Sequence, residues 1–104
     1  MATYYLEFSI KIIYMQQGEK NNIELMKSLG NIIKKHRLDK NKTIYKISAE
    51  AEMSKSTWRE IELGLCNDVT LSSLYKISNG LEIPLEKLFE ELNNLLGKDF
   101  FNDD

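Results

Sequence analysis

Lys55, Ser56 and Arg59 stand close together in the run TIYKISAEAEMSKSTWREIELG, residues 43–64. Lysine and arginine carry N–H donors that match the O6 and N7 acceptors on the major-groove edge of guanine, and a serine hydroxyl suits either kind of base-edge group. On a helix these three positions turn to one side, while Trp58 and Ile61, three residues apart, turn to the other. A helix that keeps its apolar residues inward and presents such donors outward is shaped to enter a nucleic-acid groove. A solvated helix face carries the same residue types, so the elements around the run decide what the donors mean.

Those elements read as helices. Helix 1 is expected from Ile23 to Arg37, with Leu25, Leu29, Ile32, Ile33 and His36 on one face and Asn22 as its N-cap. Gly30 in its middle costs up to about 1 kcal/mol relative to alanine, which points to a close approach of another segment there. After the polar connector LDKNK (38–42), Thr43 caps helix 2, whose inward residues are Ile44, Ile47, Ser48 and Ala51. Ser54 caps helix 3 by accepting from first-turn N–H groups, and Gly64 supplies the left-handed residue that ends it. Thr70 caps helix 4, with Leu71, Leu74, Tyr75, Ile77 and Leu81 as its buried stripe. Pro84 opens helix 5, where its missing N–H does no harm; Leu85, Leu88, Phe89, Leu92, Leu95 and Leu96 line that helix and Gly97 ends it.

Upstream, residues 3–14 alternate, with Leu6, Phe8, Ile10 and Ile12 on one side and Glu7, Ser9 and Lys11 between them. That period of two reads as a strand, followed by the polar linker MQQGEKNN (15–22). No second strand follows, and a lone strand needs an edge to pair with. Two readings stand: the strand pairs with its copy in another subunit, or residues 1–21 are an extension upstream of a domain at 22–97. Residues 98–104 form a short acidic tail.

The composition bounds the rest. A chain of 104 residues holds one small core and no large buried active site. With 42% hydrophobic and 29% charged residues it falls in the globular class, and no apolar run nears the ~20 residues that span a bilayer. The start, MATYYLEF, lacks the basic region and cleavage site of a secretory signal, and the single Cys66 forms no internal disulfide, which together point to the cytoplasm. The net charge of −2 is unevenly spread: residues 22–65 hold nine Lys or Arg against six acids, residues 66–104 three against eight. Positive charge therefore surrounds the donor-bearing helix, and modest non-specific nucleic-acid affinity follows. His36 has no cysteine or second histidine nearby for a metal. No glycine-rich phosphate loop and no paired acid–base set appears, so no enzyme, cofactor or small-molecule ligand is expected.

Several positions at fixed spacing carry a family resemblance: Arg37, Thr43, Ile47, Ala51, Ser54, Ser56-Thr57, Ile61-Glu62-x-Gly64, Leu71, Leu74, Ile77, Leu81 and the ending IPLEKLF (83–89). Residues 29–89 resemble the five-helix, lambda-repressor-like DNA-binding domain of Cro/repressor-type (Xre family) helix-turn-helix regulators. The resemblance implies an all-α fold and a bacterial or mobile-element transcriptional regulator that binds double-stranded DNA as a homodimer, most often as a repressor. It places Lys55, Ser56, Thr57, Arg59 and Glu60 at base edges, a carboxylate being able to accept from cytosine N4. It places backbone phosphates at the start of helix 2, with Thr43 and Lys42 first, then Lys46, Lys40 and Lys35. It also pairs Arg37 with Glu62 as a structural bridge between helix 1 and helix 3. Leu92, Leu95 and Leu96, with Phe100 and Phe101, extend past what helix 5 needs to cover its own domain and suit a dimer interface.

Three departures thin the expected phosphate grip. Glu52 stands where the family usually has glycine, Ile44 replaces a phosphate-binding glutamine, and the loop LCNDVT (65–70) has no basic residue. Controller proteins of restriction–modification systems and antitoxin-type autoregulators share the compact size. The alternative reading is a protein-interaction module, an antitoxin or adaptor, in which DNA binding is secondary.

Overall fold

The computed structural model describes residues 22–97, and these form five helices with no strand among them. Helix α1 covers 22–39 of the described chain; α2 is Ile44–Glu50, α3 Lys55–Glu62, α4 Leu71–Leu81 and α5 Leu85–Leu96. The fold is all-α. The alternating segment 3–14, the tail 98–104 and with it Phe100 and Phe101 lie outside the described residues.

Each short helix starts on the hydroxyl that the sequence offers. Thr43, Ser54 and Thr70 sit in extended backbone and accept from the N–H groups of Lys46, Thr57 and Ser73, each at 3.1 Å. Pro84 is the cap residue of α5 itself and makes no side-chain cap bond. Asn22 is not a cap: it already lies in α1, and its side-chain amide donates to the carbonyl of Asn67 in the α3–α4 loop. Helix α1 also runs two residues past Arg37.

The helix ends repeat one hydrogen-bonding pattern, in which a left-handed residue lets two N–H groups return to the last turn. At α2, Glu52 N–H donates to Ala49 O and Met53 N–H to Ser48 O. At α3, Gly64 and Leu65 do the same toward Ile61 and Glu60. At α4, Glu82 and Ile83 reach Asn79 and Ser78. The positive-φ residue is glycine at α3 and at the end of α5, where Gly97 has φ 85°; Asn41, Glu52 and Glu82 adopt φ of 55°, 57° and 58°. Asparagine tolerates this region, whereas a glutamate in it stores strain.

The core gathers Leu29, Ile32 and Ile33 of α1 with Ile47, Ala51, Trp58, Ile61, Ile77, Leu81 and Leu88. Helix α2 packs on α3 and α4, and α4 on α5. Gly30 brings α1 against the end of α3: a Cβ there would lie 2.5 Å from Glu62 O and closer still to Ile61 O. Met26, one turn before Leu29, is buried too and escaped the sequence reading. The stripe expected on α4 is only half right. Ile77 and Leu81 are fully buried, but Leu71 and Tyr75 are 67% and 59% exposed. The α4 N-terminus projects beyond the core, and Ser78 and Gly80 are buried where the helix turns inward. Phe89 likewise is 41% exposed, leaving Leu88 as the buried anchor of α5.

Two substitutions test this account in opposite directions. Helix propensity alone predicts that Gly30→Ala stabilises; the backbone carbonyls facing it make a loss of about 1–3 kcal/mol the expected result in urea unfolding. Glu52→Gly should raise the unfolding free energy by roughly 0.5–1 kcal/mol through release of left-handed strain. A stable Gly30→Ala protein would show that α1 can stand off from α3.

Candidate nucleic-acid interface

The donor-bearing face exists because α3 is strongly two-sided. Trp58, Ile61 and Glu62 are buried, while Lys55, Ser56, Thr57, Arg59 and Glu60 are all exposed. Lys55, Ser56 and Arg59 form one continuous outer strip with no ion pair to another described residue. Thr57 is more constrained, since its hydroxyl accepts from Ser54 at 2.7 Å and its N–H donates to the same serine.

Below that strip lies the joint that fixes the helix. Arg37 Nε and Nη2 donate to Glu62 Oε2 and Oε1 at 2.6 and 2.9 Å, a two-pronged contact between α1 and α3. The remaining guanidinium arm, Nη1, donates to Lys42 O at 2.8 Å. Trp58 Nε1–H donates to Glu62 Oε2 from within the same helix. Arg37 and Glu62 are 8% and 6% exposed, so these bonds replace nearly all the water that the two ions would otherwise hold. No buried side-chain nitrogen or oxygen among the described residues lacks a partner.

The cations expected at phosphates fare differently from one another. Thr43 caps α2 and stays exposed at its N-terminus, beside exposed Lys46. Lys42 is engaged: its Nζ lies 2.5 Å from Glu50 Oε2 across the surface of α2. That hydrogen bond lifts the Lys42 ammonium above the usual lysine range and holds the Glu50 carboxyl below the usual carboxylate range. Lys40 faces Glu82 at 3.8 Å. Lys35 lies elsewhere, with Asn31, Ile32, Glu91, Asn94 and Leu95 around a groove between α1 and α5.

Glu50 and Glu82 went unread in the sequence. Lysine-to-glutamate spacing of four would have suggested Lys46 with Glu50, not a pair eight residues apart. His36 Nε2 meets Glu91 Oε2 at 2.7 Å, tying α1 to α5. Cys66 is partly buried against the core, and burial followed by the charge of Glu60 pushes its thiol upward, away from thiolate reactivity. On α5, Leu95 is 58% exposed and Leu92 and Leu96 half-buried.

Removing one member of the joint leaves a charge uncompensated out of water. Glu62→Gln is therefore expected to cost about 3–5 kcal/mol in chemical unfolding, while the sequence preference of whatever protein remains folded is unchanged. A loss under 1 kcal/mol would mean that α3 is held by apolar packing alone.

No family model matches the chain, and no curated protein sequence matches it. Among solved structures, it is similar to a crystal structure of a tyrosine-to-phenylalanine mutant of the restriction–modification controller protein C.Esp1396I, with a TM-score of 0.64 and 26% sequence identity, over 77% of this chain and 95% of that one. Helix order, the capped α2–turn–α3 unit and this likeness agree: the chain has a helix-turn-helix fold similar to that of Cro/repressor-type regulators.

Proposed function

We propose that the chain is a sequence-specific DNA-binding transcriptional regulator, a repressor or autoregulator, that reads a pseudo-palindromic operator as a cytoplasmic homodimer. The observation that carries this reading is the outer strip of α3, where Lys55, Ser56 and Arg59 are exposed and make no ion pair among the described residues, on a helix whose inner face is buried. In the major groove, Arg59 and Lys55 donate to guanine O6 and N7, and Ser56 bonds an adjacent base edge. Thr57 and Glu60 flank them. The likeness to a restriction–modification controller protein supports a regulatory rather than an enzymatic role.

Phosphate contacts fall to the α2 N-terminus, with Thr43 and Lys46 best placed and Lys40 in support, while Lys42 is tied to Glu50 and Lys35 lies away at the α1–α5 groove. One domain of this size offers few such contacts, so affinity depends on two copies spaced about one DNA turn, ~34 Å, apart. The apolar residues of α5 that its own core leaves uncovered, Leu95 above all with Leu92 and Leu96 beside it, suit that pairing, with Phe100 and Phe101 following in the chain.

Selection of bound duplexes from a random pool, followed by titration across salt, tests the reading. Arg59→Ala should lose about 1–3 kcal/mol on the selected site and relax preference at one base pair. Lys46→Ala should weaken all sequences alike and lower the salt slope by about one. If no duplex binds even at low salt, the fold serves protein interaction instead, as in an antitoxin or adaptor.

A further inference from the structure

The Lys42–Glu50 contact changes what the α2 surface offers to a polyanion. Lys42 directly precedes the Thr43 cap and Glu50 is the last residue of the same helix, so the lysine stem lies along α2. Its backbone is fixed independently, because Arg37 Nη1 grips the Lys42 carbonyl at 2.8 Å. Glu82, at the end of α4, adds a second negative charge that acts on Lys42 and also faces Lys40. Lys46 is near Glu50 as well, but no ion pair holds it among the described residues.

We infer that Glu50 acts as an internal counter-ion that cancels Lys42 toward DNA and so caps sequence-independent affinity, an inference that rests on the DNA-binding reading above. The physics does not require Lys42 to stay put. An exposed pair is weak, and a phosphate can compete for the ammonium. If Lys42 swings to the phosphate, however, Glu50 is left bare against the same backbone. If it stays, the phosphate meets a neutral pair. In either case the duplex feels the sum of the two charges, and no counterion is released on their account. Discrimination benefits, since random sequence binds through phosphates alone while a cognate site also engages Lys55, Ser56 and Arg59.

Four proteins decide the matter: wild type, Glu50→Gln, Lys42→Ala and the double variant, each titrated with a fluorescent random duplex and with the selected site over a salt series. Folding is checked by circular dichroism melts. Glu50→Gln should tighten random-duplex binding several-fold at low salt and steepen the salt slope by about one, the value of one added phosphate contact. The ratio of cognate to random affinity should then fall. Lys42→Ala, which leaves Glu50 unpaired, should weaken random-duplex binding several-fold, the double variant should return to the wild-type value, and Glu50→Asp should keep the wild-type slope. A double variant that keeps the Glu50→Gln gain would overturn the inference, as would a Glu50→Gln slope equal to wild type. If wild type and variants all fail to bind at low salt, the DNA-binding reading falls and takes the inference with it, a result distinct from binding that ignores position 50.

Discussion

The carboxylate of Glu62 sits out of water between Arg37 of α1 and Trp58 of its own helix, and the angle at which α3 leaves the body follows from how those groups satisfy one another. Withdrawing a guanidinium and a carboxylate from water costs several kcal/mol per ion, and their attraction offsets this only with good geometry and every polar atom occupied. Here both prongs, the third guanidinium arm and the indole N–H are all used. The net stabilisation of such a pair is small. Its specificity is large, because any other seating of α3 would strand a buried charge. Gly30 belongs to the same unit, since only a residue without a side chain lets α1 lie against the carbonyls of Ile61 and Glu62.

From that joint the arrangement propagates outward by short connections. The hydroxyl caps at Thr43 and Ser54 and the left-handed residue at Glu52 set the turn between α2 and α3, so the exposed strip and the α2 N-terminus form one rigid unit. The guanidinium arm on the Lys42 carbonyl couples the start of α2 to the same buried pair. The exposed strip of α3 and the α2 N-terminus therefore share a single anchor.

Much of this was legible in the chain because it is local. A serine or threonine before a two-sided run announces its cap wherever the rest of the fold lies, which is why Thr43, Ser54 and Thr70 could be placed. Trp58 and Ile61 were assignable inward by their spacing, and Gly64 as a stop by its chemistry. Periodicity names the face of a helix but not how far the core extends beneath it, and so the α4 stripe carries Leu71 and Tyr75 past the end of the core. The residues of the candidate strip, Lys55, Ser56 and Arg59, are identifiable by type and helical spacing, and the structure leaves them exposed. Their neighbours were not: Glu50 opposite Lys42 and Glu82 opposite Lys40 depend on how side chains lie across a folded surface, and no spacing rule pairs residues from α4 with the α1–α2 connector.

Trp58 is the chain's only tryptophan, it is wholly buried, and its indole nitrogen is bonded to the carboxylate at the joint. The molecule thus carries an optical probe where α3 is bonded to the body. Emission stays at the short wavelengths of a shielded indole as long as that helix is seated, and moves to the red once water reaches the ring. A protein that engages its partner as a rigid body leaves this signal in place, and one that reseats α3 on contact does not.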